Sequence, residues 1–95
     1  MEGRTLERVV HHPVLTLKYV RPSRHPGLRV VVGMKTSKRA TTRNLLKRRL
    51  REIWRELPIP ADVLATLYTK AEALKLSFAE LRAVVVRLAT SLIKE

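Results

Sequence analysis

Thr42-Arg43-Asn44-Leu45-Leu46-Lys47-Arg48-Arg49-Leu50-Arg51-Glu52-Ile53-Trp54-Arg55-Glu56-Leu57 is the stretch that organises this chain. Taking about 100° per residue from Arg43, the side chains of Leu46, Leu50, Ile53 and Leu57 fall between about 280° and 340°. Those of Asn44, Lys47, Arg48, Arg51 and Arg55 fall between about 40° and 140°, and Trp54 sits on the seam at about 20°. An apolar stripe and a basic stripe therefore run side by side along one helix. Thr41 or Thr42 is the expected cap, and Pro58 ends the helix. The apolar stripe needs a partner layer, which the flanking sequence supplies.

Upstream, Leu28 to Val32 is nearly continuously apolar, so it is expected as a strand buried on both faces. Gly33 to Ala40 leaves it as a basic connection. Val14 to Val20 is β-branched, apolar or aromatic with Thr16 and Lys18 interleaved, the pattern of a strand. Arg21 to Gly27 holds two prolines, a serine and a glycine, and is a loop. Residues 4–11 are expected as a short helix capped by Thr5, because Leu6, Val9 and Val10 share a helical face; Pro13 stops it.

Downstream, Pro58 and Pro60 form a rigid connection. Asp62 to Thr69 is expected as a third strand, and residues 70–76 as a loop or short helical turn. Ser77 and Glu80 form an S-x-x-E capping box. Behind it Phe78, Leu81, Val84, Val85, Leu88 and Leu92 recur at helical spacing, giving a helix over 78–93. The order α-β-β-α-β-α describes a two-layer α+β sandwich, one domain over residues 1–95.

The chain has 95 residues, of which 45% are hydrophobic and 29% charged. That is the composition of a globular domain with room for one core. With no cysteine, a disulfide framework, a cysteine nucleophile and a cysteine-ligated metal are excluded. Lys and Arg number 20 against 8 Asp and Glu, a net charge of +12. Residues 35–55 hold nine basic residues and one acid, whereas residues 56–95 hold five of each. Clustering of this kind costs self-repulsion and implies a polyanionic partner that neutralises it. Arginine outnumbers lysine 13 to 7, which suits forked contacts to phosphate. No apolar run reaches the roughly 18 residues of a membrane span, and no signal-peptide core is seen. The expectation is a cytoplasmic protein with no membrane partner.

Few residues suggest protein-borne chemistry. His11 and His12 are adjacent and point different ways on a helix, a poor chelate, and His25 stands in a loop. Asp62, Glu72, Glu80 and Glu95 form no visible catalytic pair, and Ser77 is used in the cap. No catalytic and no metal-ligating residue is assigned. Arg82 and Arg87 are expected on a solvated face, and Tyr68 and Phe78 in the core.

The run Arg43-Asn44-Leu45-Leu46-Lys47-Arg48-Arg49-Leu50-Arg51-Glu52 resembles the RNA-binding helix of the bacterial ribonuclease P protein subunit. That family carries Arg-Asn-Arg, two further residues, then Arg-Arg-Leu-Arg-Glu. The resemblance extends over roughly residues 6–92: a strand and basic connection before the helix, an aromatic at Trp54, a proline, a strand opening on Asp62, and a final helix from Ser77. Leu45 replaces the second arginine of the motif. Met34-Lys35-Thr36-Ser37-Lys38-Arg39 matches the family's Ser-Lys-Lys stretch only in part. Leu6 and Val10 stand where the family has phenylalanine.

What the resemblance implies is specific. The fold would be that of the second domain of ribosomal protein S5. The chain would bind ribonuclease P RNA through Lys35, Lys38, Arg39, Arg43, Asn44, Lys47, Arg48, Arg51 and Arg55. It would contact the single-stranded 5′ leader of precursor tRNA through Tyr19, Val32 and Trp54. It would be a subunit of an endoribonuclease whose chemistry belongs to the RNA, with Mg2+ bound there and no cofactor on the protein. The alternative is a ribosomal or other structural RNA-binding protein, which charge and fold suit equally. A helix-in-groove DNA binder would need a helix packed just before residue 43, where a strand is expected instead. A membrane-surface helix is a poorer account of the wide apolar stripe than packing on a sheet.

Overall fold

The structure is a computed structural model that describes residues 5–94. The described residues form four strands and two helices, with one short 3-10 turn before the last helix. They are β1 Leu6–His11, β2 Leu15–Arg21, β3 Gly27–Val31, α1 Ala40–Arg55, β4 Leu64–Thr69, the 3-10 helix Ala71–Lys75, and α2 Phe78–Ile93. The strands form one sheet in the order β1-β2-β4-β3. β1 pairs antiparallel with β2, and β2 with β4, while β3 runs parallel to β4. The parallel pair is possible because α1 carries the chain back across the sheet between them.

The register sorts every strand residue onto one of two faces. Tyr19 lies opposite Ala65, Leu17 opposite Leu67, and Val30 beside Leu67. These residues are buried, together with Leu15. Onto them pack Leu46, Leu50, Ile53 and Trp54 of α1 and Leu81, Val85, Leu88, Ala89 and Leu92 of α2. Both helices therefore cover the same face, with α1 against β3 and α2 against β2. The opposite face carries Thr16, Lys18, Val20, Leu64, Thr66 and Tyr68 in its two central strands, none of them buried. The two-layer sandwich is as expected.

Several local expectations are corrected. Residues 6–11 form a strand and not a helix. Val9 and Val10 are β-branched, and β1 gains a full ladder against β2, from Leu6 opposite Arg21 to His11 opposite Thr16. An isolated two-turn helix would gain no comparable set of tertiary bonds. β3 is an edge strand covered on one face only, so Val30 is buried and Val31 exposed. Tyr68 and Phe78, expected in the core, are exposed. Tyr68 is out of phase with Ala65 and Leu67, and Phe78 stands at the first position of α2, before its packed face begins.

Helix ends follow local chemistry. α1 begins at Ala40 with Arg39 as cap and no side-chain cap bond, so neither Thr41 nor Thr42 serves. The Arg43 amide closes the first turn on the Arg39 carbonyl. Past Arg55, the amides of Glu56 and Leu57 donate to the Ile53 and Trp54 carbonyls, tightening the last turn before Pro58. α2 opens with both bonds of the expected capping box. The Glu80 amide donates to Ser77 Oγ at 3.1 Å, and the Ser77 amide donates to Glu80 Oε1 at 2.9 Å. Among the described residues no helix is long and apolar enough to cross a membrane.

Candidate nucleic-acid interface

Two surfaces of this fold carry the chemistry that nucleic acids recognise. The first is the outer side of α1. Leu46, Leu50 and Ile53 lock its inner side into the core, which fixes the direction of every other side chain on the helix. Asn44, Arg48, Arg51 and Arg55 are exposed, and Arg43 and Lys47 are half-buried. Lys35, Lys38 and Arg39 are exposed on the connection leading in. All nine residues expected to meet RNA are thus solvent-accessible on α1 or the loop before it.

Charge on this surface is uncompensated. Among the described residues the ion pairs are Lys18–Glu7, Arg21–Asp62 and Arg82–Glu56, none of which includes a cation of α1. The first turn of α1 has no acidic side chain, so the positive end of the helix dipole adds to the same potential. The motif arginine Arg43 makes a protein hydrogen bond: its Nη1 donates to the Ser37 carbonyl at 3.0 Å. It secures the basic loop to the helix, and the residue stays half-exposed. Leu45 is exposed at the margin of this surface, where it shares a hollow with Thr41, Asn44 and Arg48. It lines a shallow groove with Arg49, Leu74 and Leu81, between α1, the 3-10 turn and α2.

The second surface is the face of the sheet that no described element covers. A depression of about 170 Å³ lies at its centre, lined by Glu7, Lys18, Val20, Arg29, Leu64, Thr66 and Tyr68. Tyr68 is 40% exposed. Lys18 Nζ stands 3.1 Å from Glu7 Oε2. The hydrogen bond and charge of Glu7 hold the Lys18 ammonium above the ordinary lysine range, so it stays protonated throughout neutral pH. An aromatic ring, an apolar floor and one closed ion pair make this a surface for flat, partly apolar groups.

The leader contact expected at Tyr19, Val32 and Trp54 has no exposed side chain to make it. Tyr19 is fully buried, Val32 is 7% exposed and Trp54 9% exposed. Tyr19 lies in phase with Leu15 and Leu17, so it belongs to the covered face. Tyr68 is the residue that sequence reasoning placed wrongly, and the signal was available: it alternates with Thr66, on the polar side of β4. Among the described residues no three His, Asp or Glu side chains converge as a metal site.

Comparison with known proteins bears on the family and the fold. The sequence pattern of a family described as Ribonuclease P matches residues 5–92. The ribonuclease P protein component of Desulfovibrio desulfuricans is 36% identical over an 80-residue alignment that covers 77% of this chain and 62% of that protein. The chain thus spans about three fifths of the length of that relative. In fold, the ribonuclease P protein from Thermotoga maritima superposes with a TM-score of 0.73 at 23% identity, covering 86% of this chain and 80% of that one. The Staphylococcus aureus protein does so with a TM-score of 0.75 at 14% identity, covering 90% and 80%.

Proposed function

The chain belongs to the ribonuclease P protein family, and from that premise we propose that it is the protein subunit of a ribonuclease P. In this reading α1 and the loop before it hold the catalytic RNA, and the open sheet face receives the single-stranded 5′ leader of precursor tRNA. The observation that carries the proposal is the set of exposed cations on α1 with no carboxylate partner among the described residues, on a helix whose other side is fixed by the core.

The physical roles divide accordingly. Arg48, Arg51 and Arg55 present forked donors to phosphate oxygens, and Lys35, Lys38, Arg39 and Lys47 add point charges. Arg43 keeps the 33–39 loop against the helix while still facing the RNA. Asn44 can donate and accept at a 2′-hydroxyl or base edge. By relieving phosphate repulsion, these residues allow the RNA to fold and hold substrate at lower magnesium. Tyr68 replaces Tyr19, Val32 and Trp54 as the leader contact, with a base stacked on its ring. Phosphodiester hydrolysis belongs to the RNA, where Mg2+ supplies the metal chemistry. The protein's residues bind and orient. The place of action is the cytoplasm, with no membrane or DNA partner.

The test is reconstitution. Purified protein added to a bacterial ribonuclease P RNA should restore cleavage of precursor tRNA at magnesium concentrations where the RNA alone is inactive. A protein that follows ribosomal subunits and gives no stimulation would instead be a structural RNA-binding protein.

A further inference from the structure

The centre of the open sheet face holds a feature that simple phosphate binding does not explain. Glu7 is one of only two acidic residues in the first 34 of a chain with net charge +12. It stands on β1 opposite Val20, on the uncovered side. A carboxylate there repels an RNA backbone, and its pairing with Lys18 withdraws a cation from phosphate. Both side chains remain accessible, with 43% of Lys18 and 56% of Glu7 exposed. The pair is therefore not a buried structural tie, and it contributes little to stability.

We propose that the Glu7–Lys18 pair makes this depression a guanine-selective base site. The inference rests on the reading of the open face as the leader surface, and it adds the base that the surface selects. A carboxylate offers two acceptor oxygens side by side, and the ammonium beside it offers donors. Together they present a row of donor, acceptor, acceptor. The pairing edge of guanine presents the complement: the O6 acceptor, then the N1–H and N2–H donors. Adenine and cytosine place an acceptor ring nitrogen against the carboxylate. Uracil matches at its first two positions and sets its O2 against the second carboxylate oxygen. Guanine alone satisfies all three.

The surroundings suit a base and not a phosphate. Val20 and Leu64 form an apolar floor, and the exposed Tyr68 ring borders it. Arg29, on the neighbouring edge strand, reaches the same depression and stands available for a flanking phosphate. A base lying across this floor keeps Lys18 and Glu7 on its edge, so the pair need not open to bind it.

The experiment measures equilibrium binding of the full chain to short uridine-rich RNA oligonucleotides that differ at one position, by fluorescence anisotropy. The single variable base is guanine, hypoxanthine, adenine or cytosine. Glu7→Gln and Tyr68→Ala are tested alongside, with thermal unfolding to verify their fold. Guanine should bind about ten-fold more tightly than adenine or cytosine, the lower part of the range for a bidentate base contact because the pair is exposed. Hypoxanthine, which lacks the N2 amino group, should fall between. Glu7→Gln offers one acceptor and one donor and should bring all four oligonucleotides within about two-fold of one another. Tyr68→Ala should weaken all of them together.

Equal binding of the four by the wild type, with loss in Tyr68→Ala, would overturn the guanine proposal and leave the leader surface in place. A uniform gain in Glu7→Gln would show the carboxylate to be merely repulsive and would also overturn it. No effect of Tyr68→Ala would remove the open face as an RNA surface, and the guanine site with it.

Discussion

The outer side of α1 and the open face of the sheet, the two surfaces proposed to meet RNA, are built on opposite principles. On α1 the charges are dense, of one sign and without carboxylate partners among the described residues. On the sheet the central charges are already closed into an ion pair, and an exposed aromatic ring and apolar floor remain. The first surface suits a structured polyanion whose phosphates are fixed in space. The second suits a single strand whose bases are free to turn outward. In the proposed reading a 95-residue chain would hold two RNAs without competition between them, because the core that separates the surfaces also orients each.

The sharpest way to break that comparison is to remove the charge from one side. Changing Arg48, Arg51 and Arg55 together to Ala should cost about 3–6 kcal/mol in affinity for ribonuclease P RNA, from the loss of charge-assisted hydrogen bonds. Thermal unfolding should barely move, since the three are exposed and alanine favours helix. If the loss were equal for isolated leader oligonucleotides, the two surfaces would not be separate. The next effect is on stability. Tyr19→Ala removes a fully buried side chain from the covered face and should destabilise the fold by about 3–5 kcal/mol, read from denaturant unfolding. A stable Tyr19→Ala protein with impaired leader binding would restore Tyr19 as a surface residue.

Salt separates the surfaces without mutation. With about six to eight phosphate contacts on α1 and the loop before it, log affinity for the catalytic RNA should fall against log salt with a slope of about −5 to −7. Leader oligonucleotides on the sheet should show a slope of about −1 to −2, because stacking does not release counterions. Equal slopes would mean that one kind of contact serves both. The smallest effect is a control. Ser77→Ala loses one cap bond of α2 and should cost about 1 kcal/mol of stability with no change in either RNA affinity.

How much of this was legible in the sequence differs between the two surfaces. α1 was legible because its evidence is local: sixteen consecutive residues carry both the stripe that packs and the basic stripe proposed to bind. The capping box at Ser77 is equally local, and it formed as expected. The sheet surface was not legible, since its residues come from all four strands and meet only through register. Glu7, Lys18, Arg29 and Tyr68 are far apart in sequence and share one depression. Misassigning residues 6–11 as helix hid the strand that brings Glu7 to Lys18. Tyr19 and Tyr68 show the remaining difficulty. Each is a lone aromatic on a short strand, and only the phase against Leu15 and Leu17, or against Thr66, decides which one faces RNA.

The central claim is that the two surfaces act separately, and Tyr68 tests it most directly. The measurement is the affinity of reconstituted holoenzyme for precursor tRNA with and without its 5′ leader, comparing wild type with Tyr68→Ala. The account predicts that Tyr68→Ala weakens binding of the leader-bearing substrate by about 1–3 kcal/mol, the range for one base stacked on an aromatic ring. Leaderless tRNA and assembly with the catalytic RNA should be unchanged. A Tyr68→Ala holoenzyme that keeps the full leader-dependent affinity, or one that fails to assemble with the RNA while remaining folded, would contradict the account.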